Sequence, residues 1–240
     1  MNDAELLKQK CLDTWWRLNN LYWIVSKRGN RIKFKPNWAQ TELYNNIWYC
    51  NIILKARQLG LSTMIILMLL DKVLFNPDKS AGIICHTRED AELMFKRVKF
   101  AYDNLHPYFK NDLTATNDSA RELIFSNGSS IRVGTSMRGT TLQYLHVSEF
   151  GKICSKYPDK ATEIITGSLN TIAEGQYCFI ESTAEGRSGY FYDMCKRAQD
   201  LQKQQSDLST LDFKFHFYPW HKEPSYRIGS PIILQKESLE

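Results

Sequence analysis

The segment Leu54-Lys55-Ala56-Arg57-Gln58-Leu59-Gly60-Leu61-Ser62-Thr63 sets two cations, a glycine and two hydroxyls between an apolar run and a helical stretch. That is the composition of a loop whose backbone N–H groups cradle phosphate at a helix N-terminus. Gly60 and Ser62 match the end of the pattern G-x-x-x-x-G-K-[ST], but Leu61 stands at the lysine position and Lys55 at the first glycine. A lysine at the loop entry can fold back over phosphates, so the charge survives if Lys55 points inward. Ser62 then offers its hydroxyl to Mg²⁺ and Arg57 reaches toward the terminal phosphate. Taken alone, the segment reads equally well as a βα turn with a basic residue at each end and no nucleotide.

Three further segments bear chemistry. Tyr144-Leu145-His146-Val147-Ser148-Glu149 is an apolar strand ending in a carboxylate, the placement that lets a Glu polarise an attacking water. Ser148 stands where an Asp is usual before such a Glu, and its hydroxyl can hold a metal-bound water. A solvated strand end is the alternative for Glu149. Phe179-Ile180-Glu181-Ser182-Thr183-Ala184 ends a second strand in small polar residues. Ser182 and Thr183 either sense a terminal phosphate and pass its state to the following helix, or merely cap that helix. In Ser136-Met137-Arg138-Gly139, the glycine permits a sharp turn that presents Arg138 to a neighbouring subunit's site, to solvent or to DNA.

These segments need a scaffold. Short apolar runs at residues 51–54, 81–85, 123–125, 130–133, 144–147, 177–181 and 213–218 alternate with helical patterns at 62–75, 89–105, 160–169 and 189–202. This alternation predicts an α/β fold with a mostly parallel sheet covered on both faces. Asn127-Gly128 joins the third and fourth runs as a hairpin. Upstream, the stripe Leu6, Leu7, Leu12, Trp15, Trp16, Leu18, Tyr22, Trp23 predicts one helix over residues 3–25. A basic stretch (27–35) and a second helix from Pro36 to Trp48 follow. Residues 1–48 are therefore expected to form a helical appendage, 49–221 the core, and 222–240 a linker or tail.

Composition narrows the class. The chain has 240 residues, 43% of them hydrophobic, a net charge of +5, and six cysteines without metal-ligand spacing. A core of ordinary size and a reducing compartment follow, with a mild bias toward polyanions. The longest purely apolar run, Met64 to Leu70, is far short of the roughly 20 residues that cross a bilayer. No membrane association is expected.

In this order and spacing, KARQLGLST, SMRGTTLQYLHVSEF and ESTAEGRSGYFYDM resemble the large terminase subunits of tailed bacteriophages. The likeness runs from Lys55 to Met194. It implies a RecA-like P-loop ATPase of the ASCE type with a helical N-terminal appendage, hydrolysing Mg-ATP to drive double-stranded DNA into a procapsid. It further implies that Lys55 is a displaced phosphate-loop lysine and Glu149 the catalytic carboxylate. Arg57 resembles a loop arginine acting in cis and Arg138 one acting in trans, and Gln40 resembles a glutamine that reads adenine. ATP contacts are expected at Gln40, Lys55, Ala56, Arg57, Gln58, Leu59, Gly60, Leu61, Ser62 and Thr63. Mg²⁺ is expected at Ser62, Ser148 and Glu149, partly through water, and coupling at Ser182 and Thr183.

The implied partners are double-stranded DNA, a portal protein, a small terminase subunit and, during packaging, a ring of further copies of a chain that is monomeric in isolation. The implied location is the host cytoplasm, transiently on the procapsid. The family's RNase H-like nuclease has no room after residue 220, so DNA cutting is not expected. Two other readings stand beside this one: a degenerate P-loop module that binds DNA without turnover, marked by Leu61 and Ser148, and a helicase-like ATPase.

Overall fold

The computed structural model describes residues 3–139 and 141–227; from residue 228 on, the expected tail lies outside the described residues. Ten strands and nine α-helices are present among them. The N-terminal region holds α1 (Asp3–Lys10), α2 (Thr14–Asn20), β1 (Trp23–Val25), β2 (Arg31–Lys33) and α3 (Trp38–Asn45). The single helix expected over 3–25 is thus two helices and a strand. Asp13 interrupts it by capping α2, its side chain accepting a hydrogen bond from the Trp15 N–H at 2.8 Å. Beyond α2 the β-branched and aromatic run Trp23-Ile24-Val25 pairs antiparallel with Arg31-Ile32-Lys33. The helical appendage therefore also carries a hairpin.

The core follows as β3 (Cys50–Lys55), α4 (Leu61–Phe75), β4 (Ser80–Ile84), α5 (Arg88–Asp103), α6 (Pro107–Asp112), β5 (Ala115–Asp118), β6 (Glu122–Phe125), β7 (Ser130–Gly134), β8 (Leu142–Ser148), α7 (Phe150–Lys156), α8 (Pro158–Glu163), β9 (Ile172–Ser182), α9 (Tyr190–Lys203) and β10 (Phe213–Tyr218). One eight-stranded sheet has the order β10-β3-β9-β8-β4-β7-β6-β5. It is parallel from β10 to β7 and antiparallel at β7-β6-β5. The α/β expectation holds, and each apolar run falls on a strand, Cys85 lying one residue past the end of β4. The helix expected over 160–169 instead begins at Pro158 and passes into a π-turn at Ile164–Ser168. Strand β5 and helices α6 and α7 are too short to leave a periodic signature.

Helix α4 is apolar around its whole circumference because it is enclosed, and eleven of its fifteen residues are buried. Its buried charge, Asp71, is fully enclosed and meets Arg17 of α2 at 2.6 and 2.9 Å and the Tyr22 hydroxyl at 2.8 Å. This cluster ties the N-terminal helices to the core. All six cysteines are free thiols. Among the described residues no helix is long and apolar enough to cross a membrane.

Two stability predictions follow. Arg17→Ala strands the Asp71 carboxylate in the core and is expected to cost about 3–5 kcal/mol in urea unfolding at pH 7. Arg17→Ala combined with Asp71→Leu should recover most of that loss. In β10, buried His216 meets Asn51 Oδ1 at 3.0 Å, and burial, with the Lys214 charge adding to it, depresses its pKa from 6.5 to about 4. The unfolded chain therefore takes up this proton near pH 6.5 and the folded chain only near pH 4, so the histidine's contribution to stability is present above pH 6.5 and is lost as pH falls. Between pH 7.5 and pH 5 this histidine alone should remove about 2 kcal/mol, and His216→Gln should abolish that part of the pH slope.

Candidate nucleotide site

Three strand ends make the site. β9 lies between β3 and β8, and the register sets Glu181 beside Ile53 on one side and Ser148 on the other. Because side chains alternate along a strand, Lys55, Glu181, His146 and Ser148 share the face toward α4. Ser182 points to the opposite face.

On the α4 face the charges meet. Lys55 Nζ lies 3.1 Å from Glu149 Oε1 and 3.0 Å from Glu181 Oε2. The Ser62 hydroxyl, at the start of α4, donates to Glu181 Oε1 at 2.7 Å, and the Ser148 hydroxyl donates to the same oxygen at 2.8 Å. His146 Nε2 is 3.3 Å from it. Burial pushes the Glu181 carboxyl upward, but the Lys55 charge and the His146 and Ser62 contacts outweigh it and hold the group well below the carboxylate range. Burial likewise works against the charge on Lys55, and Glu181 and Glu149 overcome it, so its pKa is raised. Lys55 is therefore a charged lysine at neutral pH.

The loop between Lys55 and α4 is built from left-handed residues. Gln58 has φ 57° and Gly60 φ 73°, and Gly60 caps α4 without any side-chain hydrogen bond. The first N–H groups of α4 are thus not closed off by a capping side chain. Leu61, at the usual lysine position, is 1% exposed and belongs to the core, as does Leu59. A lysine at 61 would have to leave that packing, whereas Lys55 enters the site from the strand. Ala56 donates its N–H to the Tyr218 carbonyl at 2.8 Å, fixing the loop to β10.

Gln40 braces the loop from outside. Its Oε1 accepts from the Asn37 N–H at 2.9 Å in a reciprocal cap of α3, and its Nε2 donates to the Gly60 carbonyl at 2.7 Å. It also lines a cleft of about 980 Å³, together with Lys27, Lys35, Lys55, Gln58, Leu59, Gly60, Leu61, Ser62, Thr63, Lys96, Arg97 and Glu149. A second cleft of about 470 Å³ continues from it past Arg57, Ser148, Glu149, Lys152 and Thr183.

Glu149 leaves β8 at φ 54° and starts α7. Its other oxygen is 3.4 Å from the Thr183 hydroxyl. Ser182, on the far side, lies against α7; a Cβ added at Gly151 would sit 2.8 Å from Ser182 Oγ. Arg57 is exposed and faces the second cleft. Arg138 is not brought to the site: its side chain is 59% exposed, pairs with Glu163 at 3.0 Å and lines neither cleft.

The fold has known counterparts. It matches the large terminase ATPase domain of Thermus phage P74-26 with a TM-score of 0.55 at 18% identity, over 77% of this chain and 81% of that one. This is the fold of a large-terminase ATPase domain. The bacteriophage HK97 large terminase matches with a TM-score of 0.57 at 16% identity, over 86% of this chain and 43% of that one. A large terminase from a thermophilic bacteriophage matches at 0.53 and 10%, over 80% and 46%. The chain thus spans less than half the length of the latter two. No family model matches it.

The site residue missed in the sequence is Glu181. It stood in view inside the segment read for Ser182 and Thr183, and its signal was a carboxylate directly after the apolar run Tyr177-Cys178-Phe179-Ile180. Gly60→Ala would place a methyl 2.7 Å from Gln40 Nε2 at φ 73°. We expect it to cost about 1–2 kcal/mol from the left-handed backbone alone, and to displace Gln40. Urea unfolding reads the first effect and faster amide hydrogen exchange of the loop 57–63 the second.

Proposed function

We propose that this chain is the Mg-ATP-hydrolysing motor domain of a terminase large subunit, which uses hydrolysis to move double-stranded DNA into a procapsid. The observation that carries this reading is the charged, buried Lys55 set between Glu149 and Glu181 at the mouth of an uncapped helix N-terminus. A plain βα turn has no reason to bury these charges, since each costs several kcal/mol unless paired. The likeness of fold to the terminase ATPase domains supports the same reading.

In this reading the α4 N-terminus and the loop 55–63 hold the phosphates through backbone N–H groups, and Lys55 turns one of its three donors to them. Lys27, Lys35, Lys96 and Arg97 add positive charge along the cleft. Gln40 keeps one amide hydrogen and one carbonyl lone pair beyond its two bonds, which suits an adenine edge. The residues fit a small hard cation: Ser62 and Ser148 both give their hydrogens to Glu181 and so keep oxygen lone pairs for it. Bound Mg²⁺ supplies neutralisation of the phosphate charge. Glu149 accepts the proton of the attacking water. Thr183 touches Glu149 and Ser182 touches α7, so a change at the carboxylate is passed to the other face of the sheet. Arg57 serves its own cleft. Arg138, exposed and away from it, suits insertion into a neighbouring copy's site in a ring. DNA, a portal protein and a small recognition subunit complete the proposed assembly in the host cytoplasm.

The test is phosphate release from Mg-ATP by the full chain at high protein concentration. Glu149→Gln should lower turnover roughly 10²–10⁴-fold while retaining nucleotide; Lys55→Ala should lose both. Wild-type protein that binds no nucleotide would instead favour a degenerate DNA-binding module.

A further inference from the structure

We propose that Glu181 replaces the carboxylate missing from strand β8 and acts as the positioning residue of the metal site, holding Ser62 and Ser148 as a pair of hydroxyl ligands. The proposal rests on the Mg-ATP reading above. Ser148 occupies the position where such strands usually place an aspartate, one residue before Glu149. The carboxylate directly beside it is Glu181, in register on β9. Its Oε1 accepts from Ser62 at 2.7 Å and Ser148 at 2.8 Å, so both hydroxyl hydrogens point at one oxygen. A hydroxyl that spends its hydrogen in this way can offer only lone pairs to its remaining neighbour. That neighbour must then be a cation or a water donating to it.

The surroundings suit Mg²⁺. Among the described residues no group of three or more His, Cys, Asp or Glu side chains is placed to hold a metal by itself. Mg²⁺ does not require one, because it usually keeps several waters and takes one or two carboxylates plus substrate phosphates. Glu181 is fully buried, yet its partners come from three elements, β3, α4 and β8. A partner for Lys55 alone would not need both serines. Lys55 already has Glu149 within 3.1 Å, which leaves Glu181 Oε1 to the two hydroxyls and His146.

The experiment compares the full-length wild type, Glu181→Gln, Ser148→Ala and the double variant Glu181→Gln with Ser148→Asp. Binding of a fluorescent ATP analogue is followed against Mg²⁺ concentration and, separately, in EDTA; Mn²⁺ uptake in the presence of ADP is followed by electron paramagnetic resonance. Glu181→Gln should raise the half-saturating Mg²⁺ about 10–100-fold, the usual cost of losing a group that orients a ligand, and leave metal-free nucleotide binding within about 2-fold. Ser148→Ala, which keeps the Lys55 pair, should raise it in the same direction. Ser148→Asp should restore it in the Glu181→Gln background by returning a carboxylate to β8.

The proposal is overturned if the Mg²⁺ midpoint is unchanged in Ser148→Ala, or if Glu181→Gln weakens binding equally with and without metal and the aspartate does not rescue it. Either result leaves Glu181 as a partner of Lys55 alone, with the Mg-ATP reading intact. A wild type whose nucleotide affinity is the same with Mg²⁺ as in EDTA, and which takes up no Mn²⁺ with ADP, overturns both.

Discussion

The structure turns on one buried ionic contact, that between Lys55 and the carboxylates of Glu181 and Glu149. Placing a lysine 9% exposed and a glutamate fully enclosed at the heart of a sheet is unfavourable for either charge alone. Together, with the hydroxyls of Ser62 and Ser148 and Nε2 of His146, they satisfy one another's charge, while His146 Nδ1 is left without a hydrogen-bond partner among the described residues. This mutual satisfaction fixes the ends of β3, β8 and β9 and the first turn of α4 relative to each other. The path of the loop between Lys55 and Ser62 is then set at both ends. Its left-handed residues, Gln58 and Gly60, absorb the turn.

The same sheet separates two kinds of work by its pleat. Odd positions of β9 near its end face α4 and the charged cluster, whereas Ser182 faces α7 and the second apolar cluster, where Phe150 and Phe191 lie. Glu149 bridges the two faces, since it follows Ser148 at a positive φ, pairs with Lys55, contacts Thr183 and opens α7. That corner is thus in contact with both faces at once.

At both departures from the common phosphate-loop and acidic-strand patterns, a neighbouring strand brings a charged side chain close by. Leu61 is part of the packing around α4, and the cation it replaces arrives from the strand instead. Ser148 lacks a carboxylate, and the adjacent strand presents one at hydrogen-bonding distance. In each case the charge is present in space and absent from its usual place in the sequence. A one-dimensional pattern reads such a site as degenerate.

What the sequence by itself determined is the succession of strands and helices in the core, because burial on both faces writes continuous apolar runs and enclosed helices write apolar stripes. It determined equally the loop from Lys55 to Thr63 as a strand-to-helix turn and Glu149 as the residue after a buried strand. It did not determine the hairpin of Trp23–Val25 and Arg31–Lys33, whose aromatic spacing also fits a helix, nor the short elements β5, α6 and α7. Tertiary structure alone decided that β9 lies between β3 and β8. Strand order is a choice among long-range pairings that local periodicity does not encode. That order is what makes Glu181 the centre of the site.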